Sequence, residues 1–335
     1  MGERELTLLN QEAPSVSPKL SEVLFTNSTR NFASLAGVPS NVEAVEAALT
    51  FAGGTNPFAA LVGPTGWGKT HLMEAVASQV AREEGCIVPI HNAMEWALSP
   101  HGTYGRQPLL LDNAQDALVR PKVRQGIRTA LEKRVRMGLP TMLCFTAHRP
   151  TRPLKSLLPS CQDWIVANIK APDARERLVV ISQISTAEGV AISQGLARLL
   201  AYKMRGNGRT LVGALKRLRL YGPTWLDSRA TLKACGILDP FFVDNSAWDL
   251  KEQIYWISHH GEFRHGLADA NDMAIFTMLR EACLSEIDIA HFLGIEPSEV
   301  YQRSAKFEGQ ASLSEPVKAE LNTFIEAIVD SLLRE

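Results

Sequence analysis

Two short stretches hold residues whose types and spacing can do chemistry. The first is GPTGWGKT, Gly63 to Thr70, which fits GxxxxGK[ST] at every defined position. In such a loop the glycines, here Gly63, Gly66 and Gly68, let backbone N–H groups curl around phosphate oxygens. Lys69 supplies a point charge to the outer phosphates, and the Thr70 hydroxyl can ligate Mg²⁺. His71 follows directly; it can flank a nucleotide or merely satisfy a local hydrogen bond. The second stretch is LLLDNAQD, Leu109 to Asp116. Its apolar run delivers Asp112 to a strand end, where an acid would hold the Mg²⁺ shell. A solvated acid at a strand end is the plainer alternative. Asn113 stands where a hydrolase would carry a second acid. An amide can bond a water but cannot take its proton, and loss of a general base costs about 10²–10⁴-fold in rate. Asp116 is a substitute base with different spacing.

The flanks must position these residues. FAALV precedes the glycine loop and HLMEAVASQV follows it, a strand and a helix, as the motif needs. A helix N-terminus placed there favours an anion. Further strands are expected at Ile87–Ile90, Leu109–Leu111, Thr141–Phe145 and Trp164–Ile169. Helical patterns over Thr70–Glu84 and Val119–Met137 lie between strands, which predicts an α/β fold with a mainly parallel sheet. After Asp173 the strands stop. Ala174–Glu188, Ser193–Lys203 and Thr210–Leu220 read as a small helical domain, broken at Gly222-Pro223, and Asn245–Glu335 is helical again.

The 335 residues suffice for two or three domains, and 45% hydrophobic residues fit a buried core. No apolar run reaches the ~18 residues of a membrane span. No signal peptide is visible at the N-terminus. The five cysteines are scattered without CxxC spacing, which reads as reduced thiols in the cytoplasm. The net charge of −1 conceals a division. Residues 236–335 hold 18 acids and 7 bases, while residues 1–235 hold 18 acids and 28 bases. The basic part suits a nucleic acid. Leu118–Gly138, with seven bases and one acid, can line such a path or form a solvated face.

In order along the chain, LSEVLFTNSTRNF, GPTGWGKTHLMEAV, LLLDNAQD, FTAHRP, APDARERL and NGRTLVGALKRL resemble successive segments of the AAA+ module of the bacterial replication initiator DnaA family. Together they span about 200 residues, Leu20 to Leu220. The resemblance implies an AAA+ P-loop NTPase fold: a five-stranded parallel sheet, a helical lid, and ATP or ADP with Mg²⁺ bound between them. It also implies that Arg209 is the sensor-2 arginine, able to pair with the γ-phosphate. A surface arginine is the alternative. The expected organisation is a leader (1–19), a nucleotide-binding domain (20–171), a lid (172–222), a linker (223–248) and an all-α C-terminal domain (249–335). Two departures matter. The arginine-finger stretch of the family is replaced by SLLPSCQDW, with only Arg149 or Arg152 nearby, and Asn113 replaces an acid. Tight holding with slow hydrolysis is therefore expected, an active ATPase being the alternative. Too few residues precede Leu20 to match the family's helicase-contacting domain.

LSEIDIAHFLGIEPSEVYQRSAKF, Leu284 to Phe307, has helix-turn-helix spacing: Ala290 for close packing, Gly294 for the turn, Val300 as anchor. Ser298, Tyr301, Gln302 and Arg303 are then the candidates to touch double-stranded DNA. This region also resembles the initiator's C-terminal domain, but GIEPSEVY replaces its DNA-contacting signature, and Glu296 and Glu299 add negative charge. The readings left open are duplex binding, self-assembly, and docking onto a full-length replication initiator. No membrane partner is expected, and the location is cytoplasmic or nucleoid-associated.

Overall fold

The computed structural model describes residues 30–98, 105–147, 158, 163–242 and 249–334. They fall into two compact units, one within 1–35, 41–64 and 68–169, the other within 36–40, 65–67 and 170–335.

The first unit is built on strands β1 (Phe58–Gly63), β2 (Ile90–Asn92), β3 (Leu109–Asp112), β4 (Thr141–Thr146) and β5 (Ile165–Asn168). They form one five-stranded sheet in the order β2-β3-β4-β1-β5, with every pairing parallel. All six residues of β1 are buried, so it reads as an uninterrupted apolar run, as a central parallel strand does. The register aligns Gly63 with Thr146 and Asn92 with Asp112, which brings the C-terminal strand ends together at one edge. Helices α1 (Val42–Ala52), α2 (Lys69–Glu84), α3 (Ala93–Leu98), α4 (Asp116–Val119) and α5 (Pro121–Arg136) complete the unit. Leu72, Val76 and Val80 recur at helical spacing on α2 and are buried, while Ser78 and Gln79 are not.

The second strand lies later than the expected Ile87–Ile90. Pro89 has no N–H for the ladder, so pairing begins at Ile90, and Ile87 is exposed. The basic run also differs from a fully solvated face. Arg134 is 0% exposed. Its guanidinium donates to Thr141 Oγ1 (2.8 Å), Gln107 O (3.0 Å) and Pro140 O (2.8 Å). Burial lowers its pKa to about 10. One base of the seven thus pins the end of α5 to the start of β3 and β4.

The second unit is mainly helical: α6 (Ala174–Glu188), α7 (Gln194–Lys203), α8 (Gly208–Tyr221), α9 (Ser228–Ile237), α10 (Leu250–Ser258), α11 (Ala270–Phe276), α12 (Glu286–Leu293), α13 (Pro297–Leu313) and α14 (Glu315–Arg334). Asp173 caps α6 in a reciprocal capping box with Glu176, and Asn207 caps α8 in another with Thr210. Strands do not stop at Asp173: Ala191–Ile192 and Thr224–Trp225 pair in parallel, too short to leave a period in the sequence. The expected linker, 223–248, carries the second of these strands and α9. Thr231, Leu232, Ala234, Cys235, Gly236 and Ile237 of α9 are buried. Leu232 and Cys235 join the same apolar core as Leu215 of α8 and Ile328 of α14.

Among the described residues no helix is long and apolar enough to cross a membrane. Leu20–Thr29, His148–Pro150, Arg152 and most of SLLPSCQDW lie outside the described residues.

Candidate nucleotide-binding site

The glycine loop turns from β1 directly into α2. Gly66 and Gly68 have φ of 82° and 95°, a left-handed region that costs glycine nothing and other residues strain. Lys69 is the first residue of α2 and is buried. Its ammonium donates to two loop carbonyls, Gly63 O and Pro64 O, both at 2.8 Å. The N–H groups at the start of α2 precede the first helical bond, Leu72 N to Gly68 O, so this end of the helix presents donors, with the positive end of its dipole, to an anion.

Asp112 closes β3. Its Oδ2 accepts from the Thr70 hydroxyl at 2.8 Å, and its Oδ1 accepts from Asn113 N at 2.8 Å. The fold therefore joins two residues 42 positions apart into a pair of hard oxygen donors. That donor set fits Mg²⁺, which binds through one or two protein oxygens with water and phosphate completing its shell. Among the described residues no group of three or more His, Cys, Asp or Glu side chains could hold a metal by itself.

Asn113 adopts φ of 55°, tolerated by asparagine better than by most residues. Beside it lies Gln115, which sequence reasoning missed. Gln115 Oε1 accepts from Thr146 N at the end of β4 (2.9 Å). Its Nε2 faces Asn113 Oδ1 (3.4 Å) and Asp116 Oδ1 (3.3 Å). Asp116, the candidate substitute base, is otherwise exposed.

His71 faces back into its own unit. Its Nε2 lies 3.0 Å from Ser34 Oγ and 3.0 Å from Asn31 O, and so ties α2 to the short turn Phe32–Ser34. Burial lowers its pKa.

Arg209 is the second residue of α8, with its N–H bonded to the Asn207 cap (2.9 Å) and its side chain exposed. Asn207 does more than cap. A Cβ at Gly66 would overlap its side-chain amide, so the loop tip and the start of α8 are in close contact. An asparagine three residues before Thr210 signals the cap in the sequence, but nothing local signals the contact with Gly66.

The candidate DNA-contacting residues all lie on α13. Gly294, at φ 67°, ends α12, and Ala290 and Val300 are buried between the two helices. Ser298, Tyr301 and Gln302 are exposed. The Tyr301 hydroxyl bonds Glu286, which raises its pKa. Arg303 is paired with Glu299 (2.6 Å) and stands 3.9 Å from Asp272. Lys306 pairs with the buried Asp272 at 2.6 Å.

The sheet order, the glycine loop after β1 and the acid after β3 define an AAA+ P-loop fold. No family model matches the chain. Over 197 residues, 53% of this chain, it is homologous at 25% identity to the chromosomal replication initiator protein DnaA of Dechloromonas aromatica. The match covers 42% of that relative's length. Domain III of the Thermotoga maritima replication initiation protein DnaA superposes with a TM-score of 0.54 at 20% identity, covering 64% of this chain and 98% of that one. A replication initiator DnaA bound to AMPPCP and single-stranded DNA superposes with a TM-score of 0.52 at 16% identity, covering 91% and 99%. The structural matches speak for the fold.

Proposed function

We propose that this protein binds Mg²⁺–ATP or ADP and works in bacterial replication initiation or its regulation, with the nucleotide as a switch that is hydrolysed slowly. The observation carrying this reading is the Thr70–Asp112 pair at 2.8 Å beside a buried Lys69 at a helix start. Lys69 and the loop N–H groups would hold phosphates. Thr70 and Asp112 would hold Mg²⁺, which neutralises phosphate charge when bound. Arg209 would pair with the γ-phosphate. Asn113 would hold the attacking water without deprotonating it. DnaA homology and a DnaA neighbour solved with AMPPCP support the choice of ligand. That neighbour also holds single-stranded DNA, which favours a nucleic-acid partner for the basic residues here.

The test is titration of a fluorescent ATP analogue with and without Mg²⁺, in wild type and Lys69→Ala. Binding that needs both the metal and Lys69 supports the reading. Binding indifferent to Lys69 contradicts it.

A second reading has its own support. Arg303 and Lys306, the bases of α13 nearest the candidate contact positions, are already paired with Glu299 and Asp272. That favours α13 as a surface for docking on an initiator rather than on duplex DNA. A pull-down of the initiator that survives DNase would support it, and duplex binding lost on replacing Gln302 and Arg303 would oppose it.

A further inference from the structure

Gln115 lies within LLLDNAQD but has no role in the proposed function, yet its hydrogen bonds are directional. A backbone N–H can only donate, so the atom of Gln115 that meets Thr146 N must be its carbonyl oxygen. This fixes the amide, and its NH2 is the group that faces Asn113 and Asp116. Asp116 as a carboxylate can only accept, which agrees with that orientation. Asn113 must then turn its own carbonyl toward Gln115. Its NH2 points away from Gln115, since the two ends of an amide diverge. The end of β4 thus sets the orientation of a side chain at the end of β3 through one glutamine.

We propose that Gln115 is a positioning residue for the nucleotide site, orienting Asn113 so that its NH2, not its carbonyl, is offered to the bound nucleotide. This rests on the reading of the site as one for ATP. A donor at residue 113 attracts a γ-phosphate oxygen, whereas a carbonyl there repels it. Gln115 therefore contributes to the preference for a triphosphate over a diphosphate. It acts through Asn113, without touching the nucleotide.

Gln115→Glu tests this while keeping the acceptor for Thr146 N, and because it also sets a second carboxylate beside Asp116, the comparison is made on protein shown to be folded by circular dichroism. The new carboxylate has no NH2 to give, so Asn113 turns to donate to it and offers its carbonyl to the nucleotide. The experiment titrates the full chain with mant-AMPPCP and mant-ADP in Mg²⁺, in wild type, Gln115→Glu, Asn113→Ala and the double variant. Gln115→Glu is expected to weaken mant-AMPPCP about tenfold, the worth of a hydrogen bond to a charged acceptor, with mant-ADP changed by less than about twofold. In the Asn113→Ala background the same replacement leaves the ratio of the two affinities unchanged. The proposal is overturned if Gln115→Glu weakens both ligands equally, changes neither, or shifts the ratio equally with and without Asn113. Failure of wild type to bind either ligand removes the nucleotide reading itself, and the proposal with it.

Discussion

At residue 113 an amide stands where a carboxylate would accept a proton from water, and on the proposed reading this slows hydrolysis. Asn113→Asp supplies the acceptor without changing size, and Gln115 Nε2 is already placed to bond one of its oxygens. Steady-state phosphate release by Asn113→Asp should exceed that of wild type by about 10²-fold, the usual worth of a general base. A gain under about tenfold would show that Asp116 or another base already serves. Arg134 makes a separate prediction. Arg134→Met strips a donor from two carbonyls and a threonine hydroxyl in a dry site. Urea unfolding should show a loss of about 3 kcal/mol, since Gln107 O and Thr141 Oγ1 lose their donor while Pro140 O keeps Leu109 N. Nucleotide affinity of the folded protein should not change, because Arg134 lies at the opposite ends of the strands from Thr70 and Asp112.

At the scale of elements, α9 is the clearest case of sequence and structure diverging. The break at Gly222-Pro223 suggests a linker over 223–248, and only the packing of α9 shows otherwise. Gly236 lies so close to the chain at Ala282 that a Cβ would overlap that residue's carbonyl. Gly236→Ala should therefore cost about 3 kcal/mol in chemical denaturation, as overpacking against backbone does. A neutral result would mean that α9 moves aside freely. The parts legible in the sequence were those with local signatures. The glycine loop, the acid after three leucines and the APDARERL segment each lie within eight residues. The parts that escaped depend on distant partners. Gln115 acquires its role from Thr146, Asn207 its proximity to the loop from Gly66, and Arg134 its burial from Gln107 and Thr141. A run of seven bases does not reveal which one faces inward. The shift of β2 was readable in hindsight from Pro89.

At the scale of the whole molecule, the charge division bears on nucleic-acid binding. The bases of α13 are paired internally, whereas Lys122 and Arg124 of α5 are exposed. On the proposed reading, single-stranded DNA would be gripped by the basic region. Replacing Lys122 and Arg124 with glutamine should lower affinity and reduce the log–log salt slope by about 2, near one unit for each phosphate no longer neutralised. Replacing Arg303 and Lys306 should alter that affinity by less than about twofold, because each is paired with an acid, Glu299 or Asp272, that offsets its charge toward a phosphate. Anisotropy of labelled oligonucleotides across a salt series checks both, and equal effects from the two pairs would refute the assignment. The central claim is that the molecule holds ATP but scarcely consumes it. Its most direct test is a single-turnover assay with Mg²⁺ and γ-labelled ATP, following bound and released label in wild type and Asn113→Asp together. Wild type should retain most label as intact ATP while Asn113→Asp releases phosphate about 10²-fold faster. Rapid release by wild type, within about tenfold of Asn113→Asp, would contradict the claim.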